Sequence, residues 1–393
     1  MLNNLIISIK SIQAKLASPN LVALALLWLI VLLIFGTLEQ KFIGLYAAQQ
    51  KYFSSFVLWQ WGFALPATRS VLLVICVGIV AKISQWAAWK LHKLGNSLVH
   101  VGVLFLLAGT LFNTLNKQEG YLVLQKEDAS PSQKSPIREY MEDYYAAELV
   151  IMSGEDNIYS HVFKQEELIP GSTLTTPQLA FNIVIDEFFT NVNIERVTAT
   201  DEQSNPNDYT GFAKIFKLSD KKSELNGEEN LSGAYFTVID KQTRKPIGKY
   251  AIFENMPIIQ SITHADLVYQ IIMQPQRTPL PFGVGLIDFS VDYHPASEVA
   301  SGYKSEVLVY DKKFTSGQRA VIEMNEPLRY KDWTLYQSAF NQAEQGSKET
   351  SILVAVKSSG RLIPYIAGLI ISFGLLLHIF VRLPRLLRIT SKP

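Results

Sequence analysis

The sequence predicts a membrane protein with four transmembrane helices and one large, mainly-β extracytoplasmic domain of sandwich or barrel-like type. Three observations carry this reading. The ends of the chain are very apolar while the middle reads as a soluble protein, so the 48% hydrophobic and 18% charged fractions average two unlike parts. Basic residues gather in short runs beside the apolar stretches, where they report topology. Runs rich in Val, Ile, Tyr and Phe, separated by turn dipeptides, fill the region between.

The first apolar stretch is 21–38 (LVALALLWLIVLLIFGTL), which carries no charge. The second is 70–88, containing VLLVICVGIVA and Lys82; the third is 98–115 (LVHVGVLFLLAGTLFNTL); the fourth is 362–381 (LIPYIAGLIISFGLLLHIFV). Each is near the ~20 residues that cross ~30 Å of hydrocarbon at 1.5 Å per residue. After the first come Glu39, Gln40 and Lys41 rather than a small-residue cleavage site, so it reads as a retained anchor and not a signal peptide. Lys10 and Lys15, then Lys82, Lys90 and Lys93, then Arg382, Arg385, Arg388 and Lys392 all fall on one side of a four-span chain. The positive-inside rule makes that side cytoplasmic, which puts both termini inside and 116–361 outside, with 382–393 a basic cytoplasmic tail.

In the segment 1–20, Leu2, Leu5, Ile6, Ile9, Ile12 and Leu16 recur at helical spacing with lysines between them, as in a helix lying on the cytoplasmic surface. The outer loop 39–69 holds Tyr52, Phe53, Phe56, Trp59, Trp61 and Phe63 before Pro66. Such a run is either an interfacial aromatic belt or a docking surface for a membrane partner. In the outer domain, 146–152, 179–189, 234–240, 267–273, 284–293, 305–311, 320–324 and 352–356 read as strands. Pro170-Gly171, Asn226-Gly227, Ser301-Gly302 and Ser316-Gly317 read as turns, and 126–140 and 201–232 as polar loops.

Composition excludes several functions. The net charge of +1 gives no footprint for nucleic acid, and the single cysteine, Cys76, rules out an intrachain disulfide or a CxxC redox pair. No GxSxG, HExxH, Walker or strand-linked GxGxxG motif occurs. His161, His264 and His294 stand apart without metal-ligand spacing and read as surface or structural histidines. The informative residues are in the spans, where an ionisable side chain is costly and marks function by default. His100 lies near the start of the third span and His378 four residues before Arg382, which gives them a similar depth on the cytoplasmic side. A neutral imidazole there can ligate haem iron; it can equally be a histidine hydrogen-bonded at the interface.

The order of three spans, a large outer β domain and a last span resembles the ResB family, also called CcsB. The most specific stretches are NSLVHVGVLFLLAGTLF (96–112), LIDFSVDYHPASEVASGYKSEVLVYD (286–311) and MNEPLRYKDWTLYQSAF (324–340), with Asn325-Glu326-Pro327-Leu328 and Tyr336-Gln337-Ser338 the distinctive elements. GTLEQ (36–40) with its aromatic loop is also similar to the family's first span. The resemblance implies a subunit of the system II cytochrome c synthase in the bacterial cytoplasmic (inner) membrane. With a CcsA-type partner, such a subunit carries haem b across the membrane for attachment to the CxxCH cysteines of apocytochrome c. It implies His100 as an axial ligand of haem iron and a second ligand from the partner, which weakens a pairing of His100 with His378. The chain lacks the partner's tryptophan-rich motif and further spans, so it is expected to be non-catalytic alone and to act within the haem lyase complex. Arg382, Lys93 and Lys90 are candidates to meet the haem propionates. The alternative is an assembly factor that chaperones its partners without ligating haem.

Overall fold

In the computed structural model the described residues are 10–126, 136–154, 159–197, 209–225, 229–265, 267–295, 300–312, 316–341 and 349–390. The chain divides into an α-rich unit, Met1–Gln118 with Lys357–Pro393, and a β unit, Glu119–Val356.

The α-rich unit begins with a helix over 10–16 (α1), which keeps Ile12 and Leu16 of the amphipathic pattern; Leu2, Leu5, Ile6 and Ile9 lie outside the described residues. Helix α2, Pro19–Ile43, starts at Ser18, whose hydroxyl accepts from the Asn20 N–H, and has proline in its first turn. It stops at Gly44, where φ of 83° suits a residue without Cβ. The loop drawn at 39–69 is ordered: α3 (Leu45–Ala48), a π-helical turn (Gln49–Phe53), then a hairpin of β1 (Val57–Gln60) and β2 (Phe63–Pro66). Positive φ at Trp61 and Gly62 matches the two-residue hairpin turn whose twist suits paired strands.

Helix α4 is Thr68–Ile83, shorter than the span expected at 70–88. At 1.5 Å per residue its 16 residues reach about 24 Å. It ends because the Trp89 indole N–H takes the Ile83 carbonyl at 2.7 Å and a 3-10 turn, Trp86–Trp89, redirects the chain. Three helices, rather than the expected four, are long and apolar enough to cross a membrane among the described residues: α2, α5 (Leu91–Asn116) and Ile363–Leu383 of α6 (Ile363–Thr390).

Helices α5 and α6 pack backbone to backbone. Gly95, Gly102 and Gly109 recur every seven residues on one face of α5. A Cβ on Gly95 would lie 2.5 Å from the His378 nitrogen, and one on Gly102 would lie 2.6 Å from Ile371. Small residues permit this approach, the usual basis of helix association in lipid. The Asn113 side chain accepts from the Gly360 N–H at 2.9 Å, which fixes the start of α6.

The β unit comprises β3 (Gln118–Gln125), β4 (Arg138–Ser153), β5 (Tyr159–Lys164), β6 (Thr173–Leu174), β7 (Phe181–Phe189), β8 (Val192–Arg196), β9 (Phe216–Asp220), β10 (Gly233–Asp240), β11 (Pro246–Phe253), β12 (Gln260–His264), β13 (Leu267–Tyr293), β14 (Ala300–Tyr310), β15 (Gln318–Glu323), β16 (Leu328–Tyr330), β17 (Trp333–Asn341) and β18 (Thr350–Lys357). A ten-stranded sheet follows the path β15-β14-β13-β4-β3-β18-β17-β16, with β5 on β4 and β12 on β13. Its end strands β15 and β16 meet across a turn in which Glu323 and Glu326 exchange backbone bonds of 3.2 and 3.1 Å, so the sheet nearly closes as a barrel. Leu122, Leu124, Val284, Leu286, Val307, Ile322, Leu335 and Leu353 fill it. A four-stranded sheet, β11-β10-β7-β6, encloses a second core with the other halves of β4 and β13, around Ile151, Phe181, Phe236 and Ile271.

Strand β13 corrects the expected break between 273 and 284. Pro275, Pro279 and Pro281 look like punctuation, yet the strand continues through register shifts at Pro275/Arg277 and Pro279/Val284. Bulges of this kind are where a paired strand tolerates a residue lacking its N–H. Ser301-Gly302 lies inside β14 rather than in a turn, Arg138–Tyr140 belong to β4, and β9 occupies part of the expected loop 201–232 by pairing with β8. Asn226-Gly227 lies outside the described residues. Among the singled-out histidines, His264 has its Nε2 2.9 Å from the Asp240 carboxylate. No group of metal-ligating side chains forms among the described residues.

Candidate functional site

His100 lies on α5, on a face away from the glycine contact. Its Nδ1 is 2.7 Å from the Asn96 carbonyl, one turn back on the same helix. A carbonyl only accepts, so Nδ1 carries the hydrogen, and in the neutral imidazole the lone pair is on Nε2. This is the tautomer a metal-ligating imidazole needs, with its other nitrogen oriented by a hydrogen bond.

The ring borders a groove of about 380 Å³ formed by α2, α4 and α5. Val22 and Leu26 of α2, Gly78 and Ile79 of α4, and Val99 and Val103 of α5 make its walls apolar, while Lys82 supplies one cation. Gly78 lets α4 approach α2 closely, since a Cβ there would be 3.2 Å from the Leu16 carbonyl and 3.3 Å from Val22. Buried Ser97 donates to the Ala88 carbonyl at 2.6 Å and ties the first turns of α5 to the 3-10 turn. A smaller cavity of about 40 Å³ adjoins the ring and is bordered by Lys82, Lys93, Asn96 and Ser97. The arrangement offers an imidazole nitrogen, apolar walls, and an amine for an anionic group.

His378 is not brought to this groove. It lies on α6 where Gly95 crosses, and its Nδ1 is buried without a hydrogen-bond partner among the described residues. The register set by Gly95 against His378 and Gly102 against Ile371 places the two histidines roughly 7–8 Å apart along the helices, five residues at 1.5 Å each. Their shared depth is therefore only approximate. Lys93 borders the smaller cavity, Arg382 and Lys90 border neither, and Lys82 borders both. In the sequence Lys82 marks topology only; its second position depends on how α4 packs on α5.

The Ser305 hydroxyl donates to the Gln337 side-chain oxygen at 2.6 Å and lies 2.8 Å from the Ser351 hydroxyl, joining β14, β17 and β18 inside the barrel. Gln337 of the Tyr336-Gln337-Ser338 element thus satisfies polar groups in the core.

The family model described as ResB-like family matches residues 89–373, more than half of the chain. The chain is also similar to Protein NrfI of Wolinella succinogenes, at 29% identity over 111 residues; the match covers 28% of this chain and 12% of that protein. Helix α5 with His100 and the whole β unit fall in the matched range, which ends within α6 before His378, and the chain belongs to the ResB-like family.

Proposed function

We propose that this membrane protein serves cytochrome c biogenesis as the haem-carrying subunit of a system II cytochrome c synthase, working with a CcsA-type partner. Family membership supports the process. The observation that carries the finer reading is His100 at the border of a groove with apolar walls, its Nδ1–H held on the Asn96 carbonyl so that Nε2 is the nitrogen left for a ligand.

Haem b is the cargo, and its iron accepts one axial nitrogen from His100. Val22, Ile79 and Val103 keep water from the macrocycle, and the Lys82 amine meets a propionate at the end where α4 finishes. The second axial ligand comes from the partner, a reading favoured by the absence of His378 from the groove lining. In this scheme the membrane is the bacterial inner membrane, both termini are cytoplasmic, and the β unit faces outward to brace the partner and receive apocytochrome c. Thioether formation uses the apocytochrome's CxxCH thiols, so Cys76 has no part in it.

Co-expression with a CcsA-type protein, purification in detergent and haem absorption spectra of wild type and His100→Ala test the proposal. The expected result is a haem signal that requires the partner and falls with the substitution. Equal haem in both proteins would move the chain to the scaffold role, with the partner handling haem alone.

A further inference from the structure

The β1–β2 hairpin lies deep relative to α2. Trp28 is at the middle of the uncharged stretch of α2, and its indole N–H donates to the Pro66 carbonyl at 2.8 Å. Helical side chains lean toward the helix N-terminus, so this bond does not reach outward along α2. Helix α4 starts two residues later and runs back along the first half of α2: Gly78 meets Val22, and the Gln13 side chain reaches the Ser84 hydroxyl at 2.8 Å. The second crossing is thus half helix. The layer beside the second half of α2 is filled by short elements, α3, the π-helical turn and the hairpin, with the Phe53 ring against Gly36 and the Tyr52 hydroxyl on Glu39. The hairpin base sits at the depth of Pro66, and its tip leans along α2, with the Trp61 and Phe35 rings 6.2 Å apart.

At that depth the backbone has unmet groups. The Ala67 N–H bonds the Phe56 carbonyl at 3.0 Å, so Leu58–Leu65 and Gln60–Phe63 are the bonded pairs that follow by alternation. The N–H and C=O groups of Val57, Trp59 and Ala64 therefore point away from the ladder, and among the described residues no hydrogen bond reaches them. The matching position, Pro66, has no N–H, and its carbonyl is taken by Trp28. Val57, Trp59 and Phe63 expose 48%, 70% and 69% of their surface on the same hairpin. Lipid covers such side chains but leaves the backbone groups unsatisfied, at several kcal/mol each by the usual estimate, roughly the cost that forbids open sheet edges in hydrocarbon.

We infer that the β1–β2 hairpin is the seat of a second membrane-spanning protein, whose buried hydrogen-bonding side chains satisfy the outward groups of Val57, Trp59 and Ala64 while its apolar surface covers Trp59 and Phe63. Depth rules out a soluble occupant, and backbone chemistry rules out lipid alone. Only the partner's identity, the CcsA-type protein, rests on the function proposed above.

The test places a photo-crosslinking phenylalanine analogue at Trp59 or Phe63 in the full chain, co-expressed with the CcsA-type protein in membranes. Adducts to that protein, together with a several-fold loss of retained partner in Trp59→Ser, are the expected result. Adducts to lipid alone, or only to a second copy of this chain, overturn the inference whether or not the partner co-purifies. Co-purification and haem content of the same sample report separately on the proposed function: partner and haem present with lipid-only adducts would leave that function standing and remove this surface.

Discussion

Helix α5 has two unlike faces. One carries Gly95, Gly102 and Gly109 and meets α6 so closely that even a methyl group would collide with backbone, Ile371 or Ile363. The other carries Val99, His100 and Val103 and stands off from α2 and α4, leaving a groove of about 380 Å³. The closed face uses residues with no side chain, and the open face uses branched apolar residues around one imidazole. The difference teaches that α5 is fixed from behind while the face bearing His100 stays open, the rigid support that the proposed ligand role would need.

The comparison is broken most completely by filling the closed face. Gly95→Val puts a branched side chain where a Cβ already lies 2.5 Å from the His378 backbone nitrogen, which cannot move without α6. Overpacking costs about 1–3 kcal/mol, and a backbone obstacle puts this case at the upper end. The melting temperature of the detergent-purified protein should fall and the haem signal with it. A lesion outside the helices sharpens the contrast. Gln337→Leu removes one of the two side-chain partners of buried Ser305 and should cost about 1–3 kcal/mol of stability, with the haem spectrum of the surviving folded protein unchanged.

The open face should behave oppositely. Val103→Trp fills the groove with little backbone conflict and should lower haem retention about tenfold, roughly 1.4 kcal/mol, at an unaltered melting temperature. The smallest effect is expected from Lys82→Met, which keeps the side-chain length and removes the charge. Haem affinity should weaken by about threefold and lose part of its salt dependence, because interfacial cations contribute little individually. Retention unaffected by either change would detach the groove from haem.

Much of this was legible in the residues. The uncharged runs at 21–38, 98–115 and 362–381 declare their helices because nothing but an apolar solvent suits them. The end of α4 was not, since Trp86, Ala87, Ala88 and Trp89 extend the apolar run while the break depends on the Trp89 indole folding onto Ile83. The continuity of β13 was hidden by its prolines, which a paired strand absorbs only through partners remote in sequence. His100 announces itself as an ionisable residue in a span. Its tautomer depends on the Asn96 carbonyl, and the place of Lys82 beside it depends on helix packing that no local pattern encodes.

The central claim is that the His100 Nε2 ligates the iron of the carried haem. The most direct measurement is the absorption spectrum of the His100→Gly complex with the CcsA-type partner, recorded during titration with free imidazole. The account predicts a changed axial-ligand spectrum that returns to the wild-type form as imidazole enters the space left by the side chain. A variant spectrum identical to wild type before any imidazole is added would contradict it.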